Sequence, residues 1–285
     1  MKIFLLTLLL GAVTSSAFAQ EFTKEDKLRG SITPERAWWD VQHYDLDVEV
    51  NPKNRSISGT NTITYMVLES KKTMQIELQK PMNIDKVVQN GKQVSVKRNG
   101  TIHLLKLKKQ PKGQEAKITI YFSGTPREAV RAPWDGGFSW SKDTNGNDFI
   151  ATSNQGIGAS VWWPNKDHPA DEPDNGVDLS ITAPANLVAV GNGRLLETKD
   201  NGKTKTWHWQ VKSPINNYGV NINIGDYVNF TEKFEGLDGN LDMSYWVLED
   251  NLEKAKDQFL QAPMMMLAFE SWFGPYPFYE DSFKL

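Results

Sequence analysis

The 285-residue sequence has no cysteine. That absence excludes disulfide staples, thiol nucleophiles and cysteine-ligated zinc together. Stability must then come from core packing, which a chain of this length can supply. Histidine is scarce: His43, His103, His168 and His208 are the only four, and none opens an H-E-x-x-H. Neither sign of charge is in excess, with 32 Lys and Arg against 35 Asp and Glu and a net charge of −3. No basic surface is implied, so nucleic acid is not an expected partner. Ten tryptophans, 21 glycines and 14 prolines favour strands and turns.

The apolar stretch at the start runs only from Ile3 to Val13, too short to span a bilayer well. Lys2 precedes it and Ala17-Phe18-Ala19 follows as a small-x-small cleavage site. Residues 1–19 therefore read as a secretory signal peptide, with Gln20 as the mature N-terminus. No cysteine follows to carry a lipid anchor. The expected location is secreted or periplasmic, with no membrane attachment after cleavage. Residues 20–36 are polar and charged, and read as a loose lead-in.

Strands follow. Tyr44, Leu46, Val48 and Val50 alternate with Asp45, Asp47 and Glu49, the period of a half-buried strand. Ile57 to Leu68 alternates again, with Gly59 as a candidate bulge, and Met74, Ile76 and Leu78 make a third strand. Asn90-Gly91 and Asn99-Gly100 each lie between alternating runs, the strongest short-range hairpin signal. They are expected to join residues 84–88, 94–97 and 102–107 into a meander. Ala116 to Phe122 adds another strand, and Trp207 to Val211 and Val220 to Ile224 follow the central segment. Residues 124–148 are irregular and rich in glycine and tryptophan, either a pinned loop or the lining of a ligand groove.

Leu237-Asp238-Gly239-Asn240 is turn chemistry and a candidate domain boundary. Beyond one more strand, Leu241 to Val247, the period changes. Leu252, Ala255, Phe259, Ala262, Met266 and Phe269 recur at three and four residues, an amphipathic helix. Asp250 with Glu253 has the capping-box pattern, Pro263 should kink or divide the helix, and Gly274-Pro275 should end it. Its apolar face needs a partner, since each such side chain is worth roughly 1.5–3 kcal/mol when buried.

The most informative stretch is residues 149–192. Ala151-Thr152, Gln155, Ala159, Trp163-Pro164, Asp171-Glu172-Pro173 and Leu187 to Asn192 occur there in order. Phe273-Gly274-Pro275-Tyr276-Pro277-Phe278 stands near the C-terminus. In order and spacing these resemble the N-terminal domain of the aminopeptidase N family of zinc metallopeptidases, the gluzincins. The resemblance spans roughly residues 40 to 285. Two departures stand out. The six residues Asn165 to Ala170 lengthen the gap before D-E-P, and the family's G-x-M-E-N and H-E-x-x-H are absent.

The resemblance implies a mainly β fold. A large antiparallel β-sandwich or saddle-like N-terminal domain, 37–238, would precede the strand and helix that begin an α/β catalytic domain, 239–285. It implies zinc in the full-length enzyme and none held by this chain, no catalytic residue here, and a missing C-terminal catalytic domain as partner. The substrate implied is a peptide with a free N-terminus. Gln155 matches the family position, Glu or Gln, that binds the substrate α-amine. A Gln carbonyl can accept a hydrogen bond from an ammonium, with less attraction than a carboxylate. Gly156 and Gly158 would let the substrate backbone approach or simply shape a tight turn. The D-E-P carboxylates read as a structural turn. The competing reading is a stand-alone secreted β-sandwich binding glycans or peptides through the loop from Trp134 to Trp140.

Overall fold

The alternation between Tyr44 and Val50 is realised in the strand Trp39–Asn51, its apolar residues buried and Asp45, Asp47 and Glu49 exposed. The computed structural model describes residues 22–285, so the expected signal peptide and cleavage site lie outside the described residues. Trp39–Asn51 is the hub of an eight-stranded sheet. Ser56–Val67 pairs with it antiparallel on one side, and Val177–Pro184 parallel on the other. That parallel pair is the one departure from antiparallel pairing in this sheet, and the chain needs the whole of residues 52–176 to close it. Glu115–Gly124, Asn83–Gln89 and Lys92–Gln93 extend one edge; Thr204–Val211 and Arg194–Asp200 extend the other.

Three smaller sheets accompany it among the described residues. Thr73–Glu77, Ile102–Lys106 and Ser95–Asn99 form one. Gly137–Lys142, Asp148–Ser153, Asn223–Gly225 and Val188–Val190 form a second. Tyr227–Gly236 and Gly239–Leu248 form a hairpin whose second strand also carries Phe283–Lys284 in parallel. One continuous core lies between the first three sheets. In it Tyr65 meets Trp38 and Trp39 edge-on, and Tyr44 meets Trp163 at 4.9 Å between ring centres. Phe234, Leu241, Met243, Tyr245, Ala262 and Met266 make a separate small core under the C-terminal helices.

Several local expectations need correction. The two Asn-Gly turns form, with Asn90, Gly91 and Gly100 at positive φ. They do not make one meander: Asn83–Gln89 joins the large sheet, whereas Ser95–Asn99 and Ile102–Lys106 join the small one. The chain crosses between sheets at buried Val94, whose N–H reaches the Val87 carbonyl at 2.8 Å. Gly59 is not a bulge. It pairs in register with Val48, and a Cβ there would lie 1.9 Å from the Asp47 carbonyl oxygen. The irregularity falls on the other strand, between Val41 and His43.

The lead-in is not loose. Thr23 and Asp26 form a capping box that starts helix α1, Lys24–Gly30. Arg36 is wholly buried against Glu77. At the other end Pro263 divides the predicted helix into α2, Leu252–Phe259, and α3, Ala262–Phe273, as its missing N–H dictates. The Asp250 cap does not form. Asn251 occupies the cap position, and the Asp250 carboxylate instead accepts from Thr144 and Asn145. The turn at 237–240 joins the two strands of one hairpin.

Candidate functional site

Gln155 sits on an exposed turn immediately after the strand Asp148–Ser153. The residues on either side are tied down. Asn154 is buried, and its side-chain NH2 donates to the Val220 carbonyl at 2.8 Å. The Gly158 N–H closes the turn onto the Asn154 carbonyl at 2.8 Å. The Ile157 carbonyl accepts two hydrogen bonds, from Arg29 Nη1 and from Gln79 Nε2, each at 2.8 Å. Between these anchors only Gln155 and Gly156 stand free in solvent.

The glycines have different reasons to be there. Gly156 has φ 84° with open space where a Cβ would go, so only backbone conformation requires glycine. Gly158 has φ 90°, and a Cβ there would lie 2.4 Å from an Asp167 carboxylate oxygen. That carboxylate is engaged by the Ser160 hydroxyl at 2.5 Å. The turn is thus packed from beneath by residues that sequence reasoning had not singled out: Arg29, Gln79, Asn154 and Asp167. They are polar residues of ordinary type, far apart in the chain, and no spacing marks them.

Behind the turn lies a buried polar network. Arg36 Nη2 is 2.7 Å from Glu77 Oε1, with both side chains at 0% exposure. Gln75 Nε2 and the Asp167 N–H also donate to the Glu77 carboxylate, at 2.6 and 2.9 Å. Burial pushes the Glu77 carboxyl above the usual glutamate value, and the Arg36 guanidinium opposes that. The D-E-P segment is structural here as well. Asp171 pairs with the buried Lys166 ammonium and accepts from the Val41 N–H, and Asp174 accepts from Gln42. His168 uses Nδ1 locally, accepting from the Ala170 N–H. Among the described residues no three His, Asp or Glu side chains converge as a metal site, so the residues present do not fit a zinc ion.

A cavity of about 490 Å³ lies elsewhere, between the main core and the C-terminal segment. Asn192, Asn221, Trp246, Tyr276 and Lys284 are among its walls. Lys284 donates to the Gly191 and Gly193 carbonyls at 2.6 and 2.7 Å and lies 3.8 Å from the centre of the Trp209 ring. Burial brings its ammonium down to about 7. Gln155 is on open surface and does not line this cavity. In the tryptophan-rich loop, Trp134 is 86% exposed, whereas Trp140 is half-buried and stacked on Phe138. Finally, α3 leaves Met264, Leu267, Phe269, Trp272 and Phe273 bare, the last two at 83% exposure.

The family profile described as Peptidase M1 N-terminal domain matches residues 40–218. The chain belongs to the peptidase M1 family. The match takes in the strand hub, the Gln155 turn and the D-E-P segment, and ends before the hairpin at Tyr227–Gly236. Solved structures agree in fold. An M1 zinc metallopeptidase from Deinococcus radiodurans, a glutamate-to-alanine variant bound to a Tyr-Ser-Ala substrate, superposes with a TM-score of 0.75 at 19% identity. That alignment covers 90% of this chain and 58% of the other. The M1 zinc metallopeptidase from the same organism without the substitution gives 0.72 at 19% identity, covering 90% and 57%. A two-domain M1 zinc metallopeptidase variant bound to L-arginine gives 0.70 at 19% identity, covering 87% and 56%. This M1 chain therefore spans a little over half the length of the structures it matches. No curated protein matches it.

Proposed function

We propose that this chain is the substrate-positioning N-terminal part of an exported zinc aminopeptidase. Gln155 would receive the free α-amine of a peptide, so that the first peptide bond lies at a set distance from the reacting centre. Zinc and its ligands would belong to the part of the enzyme that follows. The observation that carries the reading is an exposed Gln155 on a turn fixed at both ends, in a chain of the M1 family. A carbonyl oxygen held in place by its backbone can select an ammonium by one directed hydrogen bond. The bare face of α3 suits the same reading, because a following domain would cover Leu267, Trp272 and Phe273.

The reading is tested on the longer enzyme that it requires. Gln155→Ala should raise KM for peptides with free N-termini by about tenfold, the loss of one hydrogen bond to a charged group. Gln155→Glu should keep or tighten binding, since a carboxylate attracts an ammonium more strongly. Unchanged kcat/KM in Gln155→Ala removes Gln155 from the site. Hydrolysis of an aminoacyl substrate by the purified 285-residue chain would overturn the division of labour.

A further inference from the structure

The Gln155 turn is held from below by a helix more than a hundred residues earlier in the chain. Helix α1 spans Lys24–Gly30, and its Arg29 donates to the Ile157 carbonyl at 2.8 Å. We propose that Arg29 is a positioning residue, and that α1 is a clamp setting where the Gln155 side chain stands. This rests on the reading of Gln155 as the amine-binding residue.

The argument begins with the backbone. Gly156 and Gly158 both adopt positive φ, at 84° and 90°. Glycine makes such a turn possible but also leaves it the widest choice of conformations. Ile157 lies between the two glycines, so holding its carbonyl holds the turn. A carbonyl oxygen has two lone pairs, and Arg29 and Gln79 use both. Gln79 comes from the body of the fold and also reaches the Ser160 hydroxyl at 3.1 Å. Arg29 comes from outside it.

Arg29 can serve this role only if α1 is itself immobile, and the contacts around it show how that is achieved. The Leu28 carbonyl accepts from Gln75 Nε2 at 3.1 Å, and the Arg29 carbonyl accepts from Arg36 Nη1. Arg36 Nη1 also reaches the Ser31 carbonyl at 3.0 Å, so one guanidinium closes the end of α1. The same Arg36 is locked by Glu77, and Glu77 accepts from the N–H of Asp167, which packs beneath Gly158. The buried pair, the helix end and the turn form one connected unit. Charge-assisted bonds of this kind are stronger than neutral ones, and a site residue needs a supporting shell to stay within about half an ångström of its place.

Two measurements test the proposal, with Arg29→Met removing the donor and Arg29→Lys keeping one. On the 285-residue chain, hydrogen exchange at residues 156–158 is followed alongside global unfolding. On the longer enzyme, kcat and KM are measured for a dipeptide amide with a free N-terminus. Arg29→Met should speed exchange at the turn severalfold while exchange in the strands Trp39–Asn51 and Ser56–Val67 stays as it was. It should raise KM about fivefold with kcat within roughly a factor of two, as for a lost interaction of one ordinary hydrogen bond. Arg29→Lys should recover most of both effects. Turn exchange unchanged in Arg29→Met overturns the clamp, as does an equal loss in Arg29→Lys and Arg29→Met. Faster exchange at the turn without peptidase activity in any form upholds the clamp and overturns only the reading of Gln155.

Discussion

Replacing Arg36 with Met should cost the fold roughly 3 kcal/mol at neutral pH, because it leaves the Glu77 carboxylate buried without a counter-ion. The pair is 2.7 Å apart and neither side chain has any exposure. At an effective dielectric constant of about 20, two charges at that distance attract by about 6 kcal/mol. Most of that gain is offset in the native protein by desolvation of both ions, so the pair itself contributes far less. What the substitution exposes is chiefly the desolvation cost of Glu77, with the smaller loss of the Arg36 bonds to the Arg29 and Ser31 carbonyls added to it. Gln75 and the Asp167 N–H still donate to it, which places the loss near the lower end of the range for broken buried pairs. The pH dependence has a definite sign. Burial raises the folded-state value of Glu77 above the ordinary one, and removing Arg36 raises it further. A carboxyl with a raised folded value is harmless while protonated and destabilises as pH rises through that value. The deficit of Arg36→Met should therefore shrink as pH falls through the acidic range. Urea unfolding of the 285-residue chain at several pH values measures this. The double variant Arg36→Met/Glu77→Leu should abolish this pH dependence while keeping the part of the loss that comes from the Arg29 and Ser31 carbonyls and the Asp167 N–H left unpaired. A deficit under about 1 kcal/mol at neutral pH, or one that grows on acidification, would refute the reasoning.

Gly158→Ala should cost roughly 1–3 kcal/mol in urea unfolding, because its Cβ meets Asp167 and its φ is left-handed. Gly156→Ala meets open space and should cost only the backbone strain, about 1 kcal/mol; equal losses at both positions would discount the Asp167 contact. Burial, with the Arg98 charge adding to it, pulls the His103 imidazole from 6.5 to about 4. The unfolded chain therefore takes up that proton first, and stability should fall between those values by up to roughly 3 kcal/mol. His103→Leu should flatten this part of the stability–pH curve, and an unchanged slope would count against it. Trp272→Ser with Phe273→Ser should reduce self-association of the isolated chain, read by sedimentation velocity, with stability within about 0.5 kcal/mol of the parent; undiminished association would place the sticky surface elsewhere.

Much of this protein follows from residue order alone. Alternation between Tyr44 and Val50 and the spacing from Leu252 to Met266 specify strand and helix, because a side chain's direction repeats every 2 or 3.6 residues in the two structures. Asn90-Gly91 and Asn99-Gly100 specify tight turns, because few residues accept positive φ. The order of motifs from Ala151 to Asn192 points to the family whose profile matches residues 40–218. Partnership between strands is another matter. Every strand offers the same backbone donors and acceptors, so Asn83–Gln89 and Ser95–Asn99 reveal their different sheets only when packed. Gln75 and Glu77 alternate with Met74 and Ile76 and are nonetheless buried, because α1 and Arg36 arrive from far away to pair them. Whether a charge lies in water or in the core depends on what covers it, and covering is a property of the folded whole.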